Sequence, residues 1–179
     1  FDKIDFNNSI VINAIGSINP TNSIDEIISD LDFYKLFINI ISSLNNKKIY
    51  RFIHISSGGT VYGNPKKYPI NESTPVDPLN IYALQKVYFE QILKINYLEN
   101  KSLPYTVTRV SNPYGGYQST NKQQGIIPIA IRKILKEESL DIWSSLDVIR
   151  DYIYITDLIE AIEIVIKEEE LKNRIVNAG

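Results

Sequence analysis

Tyr82 and Lys86 stand four residues apart in Tyr82-Ala83-Leu84-Gln85-Lys86, and residues four apart on a helix share a face. A phenol and an ammonium on one face can act on the same proton. The positive neighbour stabilises phenolate and lowers the phenol pKa from about 10, as an acid/base working near neutrality requires. Ser57 and Thr60 lie upstream, where a β-branched run gives way to glycines. Hydroxyls at the C-terminal end of a parallel strand face the crevice in which α/β sheets bind ligands, and can polarise the same substrate oxygen. A Tyr-x-x-x-Lys pair also arises by chance as a surface contact worth a few tenths of a kcal/mol. The preceding stretch from Arg51 to Gly63, Arg-Phe-Ile-His-Ile-Ser-Ser-Gly-Gly-Thr-Val-Tyr-Gly, makes the pair specific.

The surrounding elements alternate strand and helix. Ser9 to Gly16 reads as a short buried strand followed by a loop with Pro20. Ser23 and Glu26 have capping-box spacing and predict a helix start, with Ile24, Ile27, Ile28, Leu31, Phe37, Ile38, Ile41 and Leu44 on its apolar face. The strand Arg51 to Ser57 follows, and strand, helix, strand in that order implies a parallel crossover. His54 within it is expected to be a core histidine held by hydrogen bonds. Asn64 to Pro78 is a proline-rich loop beside the candidate site. A helix resumes near Leu79, with Leu84, Val87, Tyr88, Ile92, Ile95 and Leu98 expected on its inward face. Pro104 to Val110 is another strand and Gln124 to Leu135 another helix. Leu140 to Trp143 is a short strand. A helix capped by Thr156 follows, with Leu158, Ile159, Ile162, Val165 and Ile166 inward, and Arg174 to Gly179 begins a last strand.

Composition narrows the classes of function. A net charge of −2 and a pI near 5.5 leave no basic stripe for nucleic acid. Without cysteine there is no disulfide framework, thiol nucleophile or cysteine-ligated zinc, which fits a cytoplasmic protein, and no metal site is expected. No apolar run approaches the length of a membrane span. The 179 residues, 44% of them hydrophobic, suffice for one substantial core. The sequence begins with Phe1 and contains no methionine, so it is read as part of a longer chain.

At His54 to Gly63 and Tyr82 to Lys86 the sequence resembles the extended short-chain dehydrogenase/reductase family, in particular its NAD-dependent nucleotide-sugar epimerases and dehydratases. Arg109-Val110-Ser111-Asn112-Pro113-Tyr114-Gly115 is similar to the segment leaving that family's sixth strand, and Arg150 to Leu158 to its late substrate-side motif. The resemblance implies a Rossmann-like, doubly wound parallel α/β sheet over residues 1–110. Residues 111–179 would be segments of a smaller substrate-binding domain interleaved with returning sheet elements.

The resemblance further implies an epimerase, most simply a 4-epimerase of a UDP-hexose, with NAD as cofactor and NADP not excluded, working as a homodimer. Tyr82 would be the acid/base and Lys86 would hold the nicotinamide ribose. Ala14, Ile15, Gly16, Ser56 and Ser111 would contact the cofactor. Asn112 would bind substrate, Arg150 its diphosphate, and Trp143 either stacks on the base or plugs a small core. For Arg150 a structural pair with Asp151 is the other reading. The family's usual catalytic Ser or Thr aligns with Gly58, so Ser57, or else Thr60, must supply that hydroxyl. Gly59-Thr60 stands where the dehydratases carry an Asp-Glu pair, which favours epimerisation or simple redox chemistry over dehydration. A nucleotide-sugar reductase or dehydratase on the same scaffold and a non-catalytic, degenerate binding domain remain as other readings. The 179 residues contain no Gly-x-x-Gly-x-x-Gly turn for a pyrophosphate.

Overall fold

The computed structural model describes residues 4–26, 30–116, 118, 125–142, 145 and 147–179. Four strands form one sheet: β1 (Ser9–Asn13), β2 (Ile49–Ser57), β3 (Tyr105–Val110) and β6 (Arg174–Ala178). They lie in the order β1-β2-β3-β6, and every neighbouring pair is parallel. Helix α1 (Leu31–Leu44) connects β1 to β2, and α2 (Ile81–Asn100) connects β2 to β3. Between β3 and β6 run β4 (Asn112–Tyr114), α3 (Ile126–Leu135), β5 (Tyr152–Tyr154) and α4 (Ile155–Lys167). Strands β4 and β5 make a separate two-stranded parallel ribbon.

Alternation along β2 shows that helices cover both faces. Phe52 and His54 meet Phe37 of α1, and His54 also meets Phe89 of α2. Arg51, one residue out of phase, reaches the opposite face and donates to the main-chain oxygen of Val165 in α4, and to that of Glu168 at 2.8 Å. The central strands β2 and β3, covered on both faces, have no solvent side to be polar toward, hence their unbroken apolar runs, whereas edge strand β1 is only half covered and exposes Ile10 and Ile12. The larger core, built on Phe37, Leu44, Phe52, Phe89 and Leu93, lies under α1 and α2. The smaller one, around Val110, Ile153, Leu158 and Ala178, lies under α4. Arg51 is fully buried without a carboxylate and serves as a side-chain cap for the last carbonyls of α4.

The doubly wound parallel α/β sheet is thus present, with several local differences. Ser23 N–H does donate to the Glu26 carboxylate, but the helix proper starts at Leu31 with Asp30 as its N-cap residue. Ile24 is exposed, and Ile27 and Ile28 lie outside the described residues. In α2 the inward stripe is Ala83, Gln85, Lys86, Phe89, Glu90 and Leu93, whereas Leu84, Ile95 and Leu98 face solvent. Polar groups displace leucines from the core side because each finds a partner there. Leu140 to Ile142 form no strand, and Trp143 lies outside the described residues. Thr156 sits inside the first turn of α4, where its hydroxyl donates to Asp157 and caps nothing. Ile159 points outward, while Leu158 and Val165 are buried as expected.

Candidate active site

The site begins with the cap of α2. Asn80 is extended, and its side chain accepts from the Ala83 N–H at 2.8 Å, satisfying a donor the helix cannot. That start sets Tyr82 and Lys86 in the first two turns, against the C-terminal end of β2. Three successive strand residues are tied to α2. Lys86 Nζ donates to the Ile55 main-chain oxygen at 3.1 Å. Ser56 Oγ donates to Glu90 Oε1 at 2.5 Å. Ser57 and the Tyr82 phenol share a hydrogen bond, and Thr60 Oγ1 donates to Ser57 Oγ at 2.9 Å. Tyr82, Ser57 and Thr60 are therefore linked as one line of hydroxyls.

Burial governs the charges. It pushes the Tyr82 phenol up, against the opposing effect of the Ser57 hydrogen bond. It pushes the Lys86 ammonium down, with Glu90 pulling the other way. The expectation that Lys86 depresses the Tyr82 pKa does not hold in the ligand-free protein: Nζ lies 5.6 Å from the Tyr82 ring centroid and is engaged by Ile55, so desolvation wins. His54 is fully buried. Its Nδ1 accepts from Asn13 Nδ2 at 3.0 Å, and burial first, then the nearby Lys86, lowers its pKa to about 3. It is a neutral core histidine.

A cleft of about 640 Å³ opens beside these hydroxyls. Ser57, Thr60 and Tyr82 line one wall, and Ser111, Asn112, Tyr114, Arg150 and Tyr152 another. Ser111 Oγ is buried and has no hydrogen-bond partner among the described residues. Asn112 donates through Nδ2 to the Asp151 main-chain oxygen at 2.8 Å, which ties β4 to the segment before β5. Arg150 is exposed and donates to the neighbouring Ile149 main-chain oxygen at 3.3 Å. No ion pair with Asp151 occurs among the described residues, so the structural-pair reading of Arg150 fails.

The structure therefore gathers Ser57, Thr60, Tyr82, Ser111, Asn112 and Arg150 around one cleft. Ser56 also borders it, with its hydroxyl committed to Glu90. Ala14, Ile15 and Gly16 follow β1, and the cleft wall from that loop is made instead by Ile18, Asn19 and Pro20. An ideal Cβ on Gly16 would stand 3.9 Å from Lys86 Nζ, so this loop end borders the lysine. Gly58 packs its backbone on β3, and a Cβ there would meet the Arg109 oxygen at 3.1 Å. Sequence reasoning missed Glu90, Tyr114 and Tyr152. Glu90 carried a signal, standing one further turn past Lys86 on the same helix.

Comparison with known proteins agrees with this geometry. Residues 5–179 match the family model described as the NAD dependent epimerase/dehydratase family. A putative UDP-glucose 4-epimerase of Methanocaldococcus jannaschii is 34% identical over 180 aligned positions, covering 99% of this chain and 58% of that protein. A dTDP-4-dehydro-6-deoxyglucose reductase of Escherichia coli is 42% identical over 113 residues, covering 62% of this chain and 34% of that protein. The solved UDP-N-acetylglucosamine 4-epimerase of Methanobrevibacter ruminantium, in complex with UDP-N-acetylmuramic acid, superposes with a TM-score of 0.86 at 25% identity, over 96% of this chain and 55% of that one. The chain spans about half the length of the relatives it matches. With the parallel sheet and the Tyr82-Lys86 helix at its carboxyl edge, it belongs to the NAD-dependent epimerase/dehydratase family.

Proposed function

We propose that the full-length protein is an NAD-dependent nucleotide-sugar epimerase, acting at C4 of a UDP-hexose. The observation that carries this reading is the hydroxyl line Thr60–Ser57–Tyr82 on the cleft wall. Tyr82 exchanges a proton with the sugar hydroxyl oxygen at the carbon being inverted. Ser57 hydrogen-bonds that oxygen and is itself oriented by Thr60, taking the part that Gly58 cannot. Asn112 and Arg150 bind substrate, the latter offering a planar fork to the diphosphate.

The residues fit the nicotinamide-ribose half of NAD. Gly16 brings bare backbone beside Lys86, and Ser111 offers a buried hydroxyl without a partner among the described residues. Lys86 would hold the ribose. Bound there, NAD supplies the hydride acceptor and donor. The 179 residues have no glycine-rich pyrophosphate turn, so by themselves they bind NAD poorly. Exposed Leu84, Ile95 and Leu98 on α2 and Leu36 on α1 support a homodimer that covers them.

A reductase of a nucleotide-linked keto sugar is the second reading, favoured by the 42% identity to the Escherichia coli reductase. The absence of an Asp-Glu pair at Gly59-Thr60 weighs against dehydration. Incubating the full-length protein with NAD and UDP-, GDP- and dTDP-hexoses, and separately with NADH and a dTDP-linked keto sugar, distinguishes these readings. Interconversion of C4 epimers without net NADH change supports the epimerase. Stoichiometric NADH oxidation with a dTDP-keto sugar and no epimerisation supports the reductase. Neither activity, in a folded protein that binds NAD, returns the site to a binding role.

A further inference from the structure

Glu90 is a buried carboxylate with no place in the acid/base chemistry above, although it stands on the catalytic helix one turn beyond Lys86. Its side chain is fully buried and accepts from three donors on two strands. Ser56 Oγ of β2 lies at 2.5 Å, and Arg109 of β3 is bidentate, with Nε at 3.1 Å and the second terminal nitrogen at 2.6 Å. The other terminal nitrogen of Arg109 donates to the Tyr62 hydroxyl at 2.8 Å, and that hydroxyl donates to Asn177 Oδ1 of β6 at 2.7 Å. One carboxylate thus braces α2 against the carboxyl ends of β2 and β3, and through Arg109 and Tyr62 against β6.

The brace sits where alignment matters. Ser56 lies between Ile55, whose oxygen holds Lys86, and Ser57, whose hydroxyl meets Tyr82. A shift of α2 along β2 by a fraction of an ångström would part Tyr82 from Ser57 and Lys86 from Ile55 together. Misplacement on this scale is costly to catalysis because reacting groups must be held near contact geometry. A buried carboxylate paired with a guanidinium is weak evidence of stabilisation, since well-packed apolar residues serve as well. Its place between the two catalytic contacts gives it a specific use.

We propose that Glu90, oriented by Arg109, is a positioning residue that fixes the register of the catalytic helix on β2 and so sets both the Tyr82–Ser57 contact and the Lys86 environment. The inference rests on the assignment of Tyr82 and Lys86 as the working pair, and its test includes a readout besides turnover. Lys86 is faced by His54 from β2 and by Tyr82 and Glu90 from its own helix. Glu90 is faced by Ser56, Arg109 and Tyr105. Of these only Glu90 raises the Lys86 pKa.

The experiment is a carbon-13 titration of the Lys86 ε-carbon and the Tyr82 ζ-carbon in the full-length protein, for wild type, Glu90→Gln and Ser56→Ala. Glu90→Gln keeps the shape and an acceptor for Ser56 but removes the charge. It should move the Lys86 midpoint down by about one pH unit, the scale of a single charged neighbour. Ser56→Ala leaves the Glu90–Arg109 pair intact, so it keeps the test open should Glu90→Gln not fold. It should shift the Tyr82 resonance and lower kcat about tenfold with KM within twofold, because a misaligned pair still binds substrate. Folded Ser56→Ala with wild-type Tyr82 and Lys86 titrations and wild-type kcat overturns the proposal. If the titrations move as expected while no hexose is turned over by wild type, the positioning role stands and the epimerase reading fails.

Discussion

Lys86 Nζ donates to the main-chain oxygen of Ile55 at 3.1 Å and stands 5.6 Å from the centre of the Tyr82 ring. The two side chains share a helix face, yet the ammonium is held by the strand and not by the phenol. Burial moves the two groups in opposite directions, Lys86 toward losing its proton earlier and Tyr82 toward losing it later. Burial thus works against the coupling in which a protonated Lys86 would stabilise the Tyr82 phenolate.

The Tyr82 phenol should therefore titrate above 10 without ligand, and Lys86→Met should leave that midpoint nearly in place. A carbon-13 titration of the Tyr82 ring carbon reads it directly. A wild-type midpoint below 9 would mean that the ammonium reaches the phenol after all.

His54 yields a stability prediction with a defined sign. Its pKa falls from 6.5 to about 3 on folding, so below pH 6.5 the unfolded chain takes up a proton that the folded one refuses. Stability from this group is complete above 6.5 and is lost as pH falls toward 3. The gap is worth on the order of 5 kcal/mol at most, and about 2 kcal/mol between pH 6.5 and 5. Urea unfolding of wild type and His54→Phe across that interval should show the difference between them narrowing by about 2 kcal/mol. Parallel pH dependences would show that His54 is protonated in the folded state.

The fold was largely legible because the central strands β2 and β3 are buried on both faces, and continuous runs such as Phe52-Ile53-His54-Ile55 or Tyr105 to Val110 have few other uses. The hydroxyls and the Tyr-Lys pair were legible through their spacing. What stayed hidden is the inward face of α2. Leu84, Ile95 and Leu98 look like a core stripe by periodicity alone, whereas Gln85, Lys86 and Glu90 become acceptable inside only because of distant partners. Gln85 Nε2 donates to Ser17 at 3.0 Å and to Asp30 at 2.5 Å, and Arg109 neutralises Glu90. A hydrophobic pattern counts transfer free energies and is blind to such compensation. Arg51 illustrates the same limit, since its partners are carbonyls more than a hundred residues away.

Arg150 should matter for binding more than for turnover. It is exposed at the cleft and holds no carboxylate among the described residues, so its removal disturbs no core. A contact to a diphosphate distant from the reacting carbon acts equally in the ground and transition states. Losing one charged hydrogen-bonded pair costs on the order of 2 kcal/mol, roughly thirtyfold in affinity. In the full-length protein Arg150→Ala should raise the Kd for a UDP-hexose by about that factor, with kcat within a few-fold and the melting temperature unchanged. Unaltered affinity by calorimetry would remove Arg150 from the binding site.

The assignment of Tyr82 is the one on which the chemistry turns. Tyr82→Phe keeps the ring that Lys86 lies beside and removes only the hydroxyl that meets Ser57. Because the lost hydrogen bond is a single neutral one at a cleft wall, stability should change by no more than about 1 kcal/mol. Turnover should nevertheless fall by about two to four orders of magnitude, the range expected when a positioned proton-transfer group is deleted. Ser57→Ala should cost less, because Thr60 Oγ1, 2.9 Å from the Ser57 hydroxyl, can move into the vacated space and donate in its place. The double variant Ser57→Ala with Thr60→Val removes that substitute and should fall well below Ser57→Ala alone. Measured on the full-length protein with whichever nucleotide-hexose it interconverts, this ordering separates a Tyr82 acid/base aided by two hydroxyls from a site in which the tyrosine merely packs. A Tyr82→Phe enzyme turning over near the wild-type rate would assign the proton transfer elsewhere.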